Sequence, residues 1–247
     1  MQSSLSRASV VFALVTAGLL VAATGCGESI DSSSVKTDGI YADFFARADG
    51  SGQTKVHAGL KTGGPNSNTF LSLEMGDELT FYQGSESYTP ETKNVFDQFK
   101  VYEKPIPTDS GGDEFRIEFT RASGTDAPNS TTTLPKKFSI DSPTSSDSFS
   151  RSNDDVDITL SAADNSAQQT VTVTGSCIGN IFQKEFSGKT VTIPKGSLKE
   201  VDSDDTDTTC NLGVSVEFRK AGSVDSAYEG GRFDGIQRRA TSFESKP

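Results

Sequence analysis

The amino-acid sequence predicts an all-β fold made of two antiparallel β-sandwiches. Three features carry that reading. From Gly39 onward apolar residues recur with a period of two, turn chemistry interrupts them at short intervals, and no window holds a sustained helical stripe. The 247 residues suffice for two units of about 100 each. Hydrophobic residues make up 33% of the chain, so each unit can bury a modest core.

Each strand follows from local alternation. Ile40, Ala42, Phe44 and Ala46 alternate with Tyr41, Asp43, Phe45 and Arg47, and Val56, Ala58 and Leu60 alternate with His57 and Gly59. Leu71 and Leu73 precede a Gly76-Asp77 turn, and Leu79 and Phe81 follow it. Runs over Val95–Tyr102 and Phe115–Arg121 complete a first unit, with Thr131–Leu134 as a last strand after the polar break at Ala122–Ser130. The turns between them are Gly50-Ser-Gly, Gly63-Gly-Pro-Asn and Pro107-Thr-Asp-Ser-Gly-Gly. Pro135 divides the units, which places the domains at 38–135 and 136–247. The second holds Val156, Ile158 and Leu160, then Val171, Val173, Gly175 and Cys177, then Val191 and Ile193. Its cleanest strand is Cys210, Leu212, Val214, Val216 and Phe218, and the chain closes through Gly230-Gly231, Ile236, Gln237 and Phe243. One larger sandwich or barrel spanning both halves is the competing architecture.

Residues 1–25 are read as an export signal. The segment has no acidic residue, its one basic residue is Arg7, and an apolar run from Val10 to Ala23 follows. That run is shorter than the ~20 apolar residues a membrane-spanning helix needs. Ala23-Thr24-Gly25-Cys26 resembles a bacterial lipobox, the motif cleaved just before a cysteine that becomes lipidated. The resemblance implies a mature chain beginning at Cys26, held in the membrane by acyl chains on that residue; at ~0.8 kcal/mol per buried methylene, two or three chains anchor it stably. Gly27 after the lipidated cysteine, in place of Asp, is similar to the default for sorting to the outer membrane. Residues 26–37 then read as a flexible polar tether, whose 11 or so residues from Gly27 reach about 36 Å when fully stretched.

In an exported protein, the two remaining cysteines favour a disulfide between Cys177 and Cys210. Both fall in phase with the inward residues of their strands. Closing a loop of that size stabilises by about 3–4 kcal/mol in the chain-entropy estimate. The bridge resembles that of immunoglobulin domains, with shorter spacing and without the partner Trp, since the chain has none.

Charge and motif content narrow the chemistry. Lys+Arg number 23 against 34 Asp+Glu, a net charge of -11, which argues against a nucleic-acid partner. A single histidine, His57, excludes a His-rich metal site and sits on the polar phase of its strand, where it is expected to be exposed. Gly111-Gly-Asp-Glu-Phe115 is similar, letter for letter, to the signature of diguanylate cyclases. However, the pairs that family places after its upstream motif are missing behind Asp97-Gln-Phe99-Lys100, and Lys100–Gly111 is too short for the helix and strand expected there. The letters therefore read as hairpin chemistry ahead of a strand at Phe115–Thr120.

Asp202, Asp204, Asp205 and Asp207 form an acidic loop that is a weak candidate for Ca²⁺, lacking the Gly and closing Glu of an EF-hand. Asp154, Asp155 and Asp157 are expected to blunt a sheet edge. Tyr41, Phe45, Tyr82 and Tyr228 are candidate exposed aromatics that stack on sugars or pack on the neighbouring unit. The expectation is an outer-membrane lipoprotein of the bacterial envelope, without cofactor, acting as a binding or structural module toward a protein or a glycan rather than as an enzyme. The alternative is an envelope hydrolase or a Ca²⁺-dependent ligand-binding protein using clustered carboxylates. Converging carboxylates favour that alternative; a flat or aromatic surface favours the module.

Overall fold

The computed structural model describes residues 28–95, 99–201 and 209–247. Strand β1 (Glu28–Asp31) leads through two short 3-10 turns to β2 (Ile40–Ala48) and β3 (Thr54–Thr62). Then come β4 (Thr69–Ser72), β5 (Glu78–Gln83), β6 (Glu86–Tyr88), β7 (Glu91–Val95), β8 (Phe99–Ile106), β9 (Glu114–Thr120) and β10 (Ala127–Thr133). The second half adds β11 (Ile140–Ser142), β12 (Ser148–Ser150), β13 (Val156–Leu160), β14 (Gln168–Thr174) and β15 (Phe182–Phe186). It ends with β16 (Thr190–Ile193), β17 (Cys210–Ala221) and β18 (Gly230–Lys246). Among the described residues there is no α-helix, and the fold is all-β.

One long sheet organises the chain. Its spine runs β1-β4-β3-β2-β18-β17-β14-β15, with β7, β8 and β12 joined at its sides. Two smaller sheets, β10-β9-β5-β6 and β11-β13-β16, cover its inner face. Alternation explains the packing directly: β2 buries every second residue from Ile40 to Ala48, and β17 buries Leu212, Val214, Val216 and Phe218. Phe44, Phe81, Phe115 and Phe119 fill the first core, and Phe218 and Phe243 the second. Each such side chain contributes about 1.5–3 kcal/mol relative to exposure.

The 17-residue β18 ties the halves together. It pairs with β17 from Ala221↔Asp234 to Cys210↔Ser245, while its first half lies beside β2 from Gly230↔Tyr41 to Gln237↔Ala48. Phe233 and Phe243 lie ten positions apart, an even step, and so share a face; Phe233 enters the first core and Phe243 the second. The first core therefore contains Tyr228 and Phe233 from the far end of the chain. Gly235 is required where β18 passes beneath β10, since a Cβ there would collide with the Thr133 carbonyl. Between the two cores runs a polar seam. Gln237, fully buried, donates to the Asp109 carbonyl at 2.9 Å, Arg239 donates to Gln237 Oε1 at 3.0 Å, and Lys137 pairs with Asp109 at 2.7 Å.

Several sequence expectations change here. The sheets are mixed, not purely antiparallel: β1–β4, β2–β18 and β12–β18 run parallel. These partners come from distant parts of the chain, where no hairpin imposes the antiparallel sense. The Val95–Tyr102 run divides into β7 and β8, an antiparallel hairpin. The segment read as a tether is bound to the body from Glu28 onward. β1 pairs with β4, and buried Arg121 donates to the Ser32 and Val35 carbonyls at 2.7 Å each and to Thr37 Oγ1 at 3.2 Å while pairing with buried Asp77 at 3.1 Å. Gly111–Phe115 is not a hairpin, because β8 and β9 belong to different sheets. It is a crossover that packs on the join between halves: Gly112 donates to the Leu134 carbonyl at 3.0 Å, and a Cβ on Gly111 would sit 2.7 Å from the Lys137 nitrogen.

Candidate functional site

Neither small sheet covers the outer face of the long sheet, so residues from both halves form one continuous surface. Its two ends differ in chemistry. At the β2–β3 end the side chains satisfy one another. Phe45 and His57, opposite in register, stack at 4.4 Å, and the Arg47 guanidinium lies 5.3 Å from the Phe45 ring. His57 Nδ1 bonds Glu103 at 2.9 Å, and Lys55 pairs with the same carboxylate at 2.8 Å. Asp43 accepts from Lys61 and Arg232, each at 2.7 Å. Phe70 rests on Phe99 at 5.0 Å with Lys61 5.3 Å from its ring.

His57 is thus not exposed, as its strand phase suggested. The ring stack and Glu103 cover it, leaving 17% of the side chain accessible. Burial pushes its pKa below the ordinary 6.5 despite Glu103, which acts the other way. Burial also works to raise the Asp43 and Glu103 carboxyls. Hydrogen bonds and charge from Arg232 and Lys61, and from Lys55 and His57, outweigh it and hold both low.

At the β14–β17 end the floor is hydroxyl-rich and open. Thr170, Thr172 and Thr174 are successive outward residues of β14. Across the register, Thr170 lies between Glu185 and Glu217, Thr172 between Gln183 and Ser215, and Thr174 beside Gly213. Gly213 and Ala240 leave the floor low, giving a shallow cleft of about 560 Å³. Strand geometry spaces the threonine hydroxyls by about 6.7 Å along the strand and the rows by about 4.8 Å across. Among the described residues these three hydroxyls have no side-chain partner, and the rim is tied down: Gln168 to Glu185 at 2.5 Å, Arg238 to Ser215 at 2.9 Å, Arg219 to Glu217 at 2.8 Å. The alternation of Gln168–Thr174 marks these positions as outward in the sequence; what it cannot mark is that the hydroxyls are left unpaired.

The other candidates are dispersed. Cys26 and the acidic group Asp202, Asp204, Asp205 and Asp207 lie outside the described residues; among those described, no cluster of three His, Cys, Asp or Glu side chains could hold a metal ion. Cys177 and Cys210 are joined, their Cα atoms 5.9 Å apart. Cys177 is buried just beyond the end of β14, and Arg151 closes that tip against Ser245 and Glu200. Asp154, Asp155 and Asp157 do not blunt an edge, because β13 is the middle strand of its sheet; they accept from Ser150, Lys195 and Thr192 instead. Tyr228 is not an exposed aromatic but is buried against Phe44 and Phe119, its hydroxyl without a partner among the described residues and its pKa pushed up by burial. Tyr82 carries the Arg116 guanidinium 3.7 Å from its ring centroid.

No family model matches the chain, and no curated protein does. Among solved structures, a titin I-band fragment is similar over 81% of this chain and 62% of its own length, at 9% identity and a TM-score of 0.26; the chain thus spans less than two thirds of that fragment. The fibronectin-type FN1–FN3 domains of chicken CNTN1 match over 86% of this chain and 69% of theirs, at 9% identity and a TM-score of 0.29. A protein of the Bacteroides ovatus mixed-linkage glucan utilization locus, solved with a heptasaccharide, matches over 95% of this chain and 69% of its own, at 12% identity and a TM-score of 0.21. Likenesses at these scores carry no argument; the fold rests on the strand pairings described above.

Proposed function

We propose that this protein is a lipid-anchored binding module of the bacterial cell envelope, probed by its ligand on the hydroxyl-rich shelf of the long sheet. One observation supports the reading most: among the described residues the hydroxyls of Thr170, Thr172 and Thr174 have no side-chain partner, over a low floor where Glu185 and Glu217 are balanced by Arg219 and Arg238. A grid of hydroxyl and amide groups offers both donors and acceptors, which suits an uncharged polyhydroxyl chain, that is, a glycan. A shallow open cleft fits an extended polymer better than a small enclosed molecule. The lipid anchor rests on the Ala23–Cys26 motif.

The hydrolase alternative needs carboxylates aimed at one point of free space. Around the shelf, Glu217 is held by Arg219 at 2.8 Å and Glu185 accepts from Gln168 at 2.5 Å. Calorimetric titration with neutral envelope polysaccharide tests the proposal. Saturable binding is expected, and replacing Thr170 and Thr172 together by Val should weaken it about tenfold or more, at roughly 0.5–1.5 kcal/mol per hydrogen bond. Polysaccharide cleavage during the titration, or affinity untouched by the double substitution, would refute it.

A further inference from the structure

The position of the chain's first described residues fixes how such an anchored molecule stands. Glu28 opposes Thr69, and Ser29 opposes Phe70, which pairs with Lys61, then Tyr41, then Gly230. Five strands thus bring the amino-terminal end of the body into one row with the start of β18. From that row β18 continues for 17 residues to Lys246, where it meets Ser150 and, at Ser245, Cys210. At about 3.3 Å per residue this strand spans about 50 Å. The two ends of the molecule are therefore an amino-terminal end and a disulfide-bonded tip.

Only Gly27 separates Cys26 from Glu28, so the leash is at most about 7 Å. The body end of that leash is fixed by the β1–β4 pairing and by the Arg121 bonds to Ser32, Val35 and Thr37. The β3–β4 loop at the same end, Gly63-Gly-Pro-Asn-Ser-Asn68, carries no charge to oppose lipid headgroups. We infer that the anchored chain stands end-on, with this loop against the lipid surface and the disulfide-bonded tip about 50 Å above it. The shelf is then held sideways, clear of the bilayer. This orientation depends on lipidation at Cys26, the anchor proposed above.

Because the chain has no Trp, an introduced one reports alone. Asn66→Trp and Ser152→Trp, both at exposed loop positions, place a probe at each end. Each lipidated full chain is bound to phosphatidylglycerol–phosphatidylethanolamine vesicles containing a headgroup-quencher lipid. Quenching is expected to be several-fold stronger at position 66 than at 152. Equal quenching, or stronger quenching at 152, overturns the orientation while leaving the anchor intact. Should the lipidated chain fail to float with vesicles, or the Cys26→Ser form float equally well, the anchor reading fails and the orientation with it. Neutron reflectivity on the unsubstituted lipidated protein gives an independent reading: a layer about 50 Å thick is expected, and one half as thick contradicts it.

Discussion

The two sandwiches share one sheet yet are completed in different ways. The second core is built wholly from residues between Phe138 and Phe243 and is stapled by Cys177–Cys210. The first needs Tyr228 and Phe233 from the chain's last strand, and its amino-terminal segment is held by a buried ion pair rather than a crosslink. Their outer faces differ in the opposite sense. The first presents aromatic and charged side chains that already satisfy one another, while the second presents three threonine hydroxyls with no side-chain partner among the described residues. On the proposed reading, unfinished hydrogen bonding rather than richness in aromatics marks the binding surface.

The comparison breaks most visibly if the chain is divided. A fragment of residues 28–135 is expected to stay unfolded, because β2 loses its β18 neighbour and Phe44 loses both ring partners, Tyr228 and Phe233. A fragment of residues 136–247 keeps every member of its own core and should give dispersed NMR spectra. A folded first fragment would show that β18 is dispensable to it. Next in size is Arg121→Met, which strands the buried Asp77 carboxylate and should lower stability by about 3–5 kcal/mol in urea titration. A loss below 1 kcal/mol would mean that the amino-terminal segment is not held as described.

Replacing Cys177 and Cys210 by Ala should cost about 3–4 kcal/mol through the enlarged unfolded ensemble, without disturbing the first core. Acid should weaken the β2–β3 end specifically. The unfolded chain protonates His57 near 6.5, whereas folded His57 titrates lower, so the unfolded state binds more protons as pH falls below 6.5 and stability declines. Asp43 and Glu103 extend the decline at lower pH: their low folded pKa values contribute stability above the ordinary 3.8 and 4.5 that is lost as pH drops through the folded values. His57→Gln should flatten the melting-temperature profile between pH 7 and 5 and leave the more acidic part. Smallest of all, Thr170→Val with Thr172→Val should shift stability by no more than about 0.5 kcal/mol, since half-buried hydroxyls with no side-chain partner among the described residues hold nothing in place.

Much of this was legible in the residues. The alternation of Ile40–Ala48 and of Cys210–Phe218 gave both strands and their inward faces, and the spare cysteines gave the disulfide. What failed depended on partners distant in sequence. Nothing local to Gly230–Lys246 tells that it lies beside Ile40–Ala48 in parallel, so neither the mixed sheet nor the burial of Tyr228 is legible in the sequence. Likewise Glu28–Thr37 has no hydrophobic period to mark it as structured; Arg121, far along the chain, is what holds it. His57 lies on the outer phase that its strand predicts, but strand phase says nothing of a ring and a carboxylate on neighbouring strands closing over it. The shelf was half visible: its threonines were readable as outward, its lack of internal partners only once β15 and β17 were set alongside.

Following the threonine methyl and backbone amide signals of the isotope-labelled protein during titration with a neutral oligosaccharide tests the assignment of the proposed binding surface most directly. Shift changes are expected at Thr170, Thr172 and Thr174 and at their neighbours Ser215 and Ala240, with Phe45 and His57 unmoved. Changes centred on Tyr41–Lys61, or none anywhere while calorimetry shows binding, would contradict it.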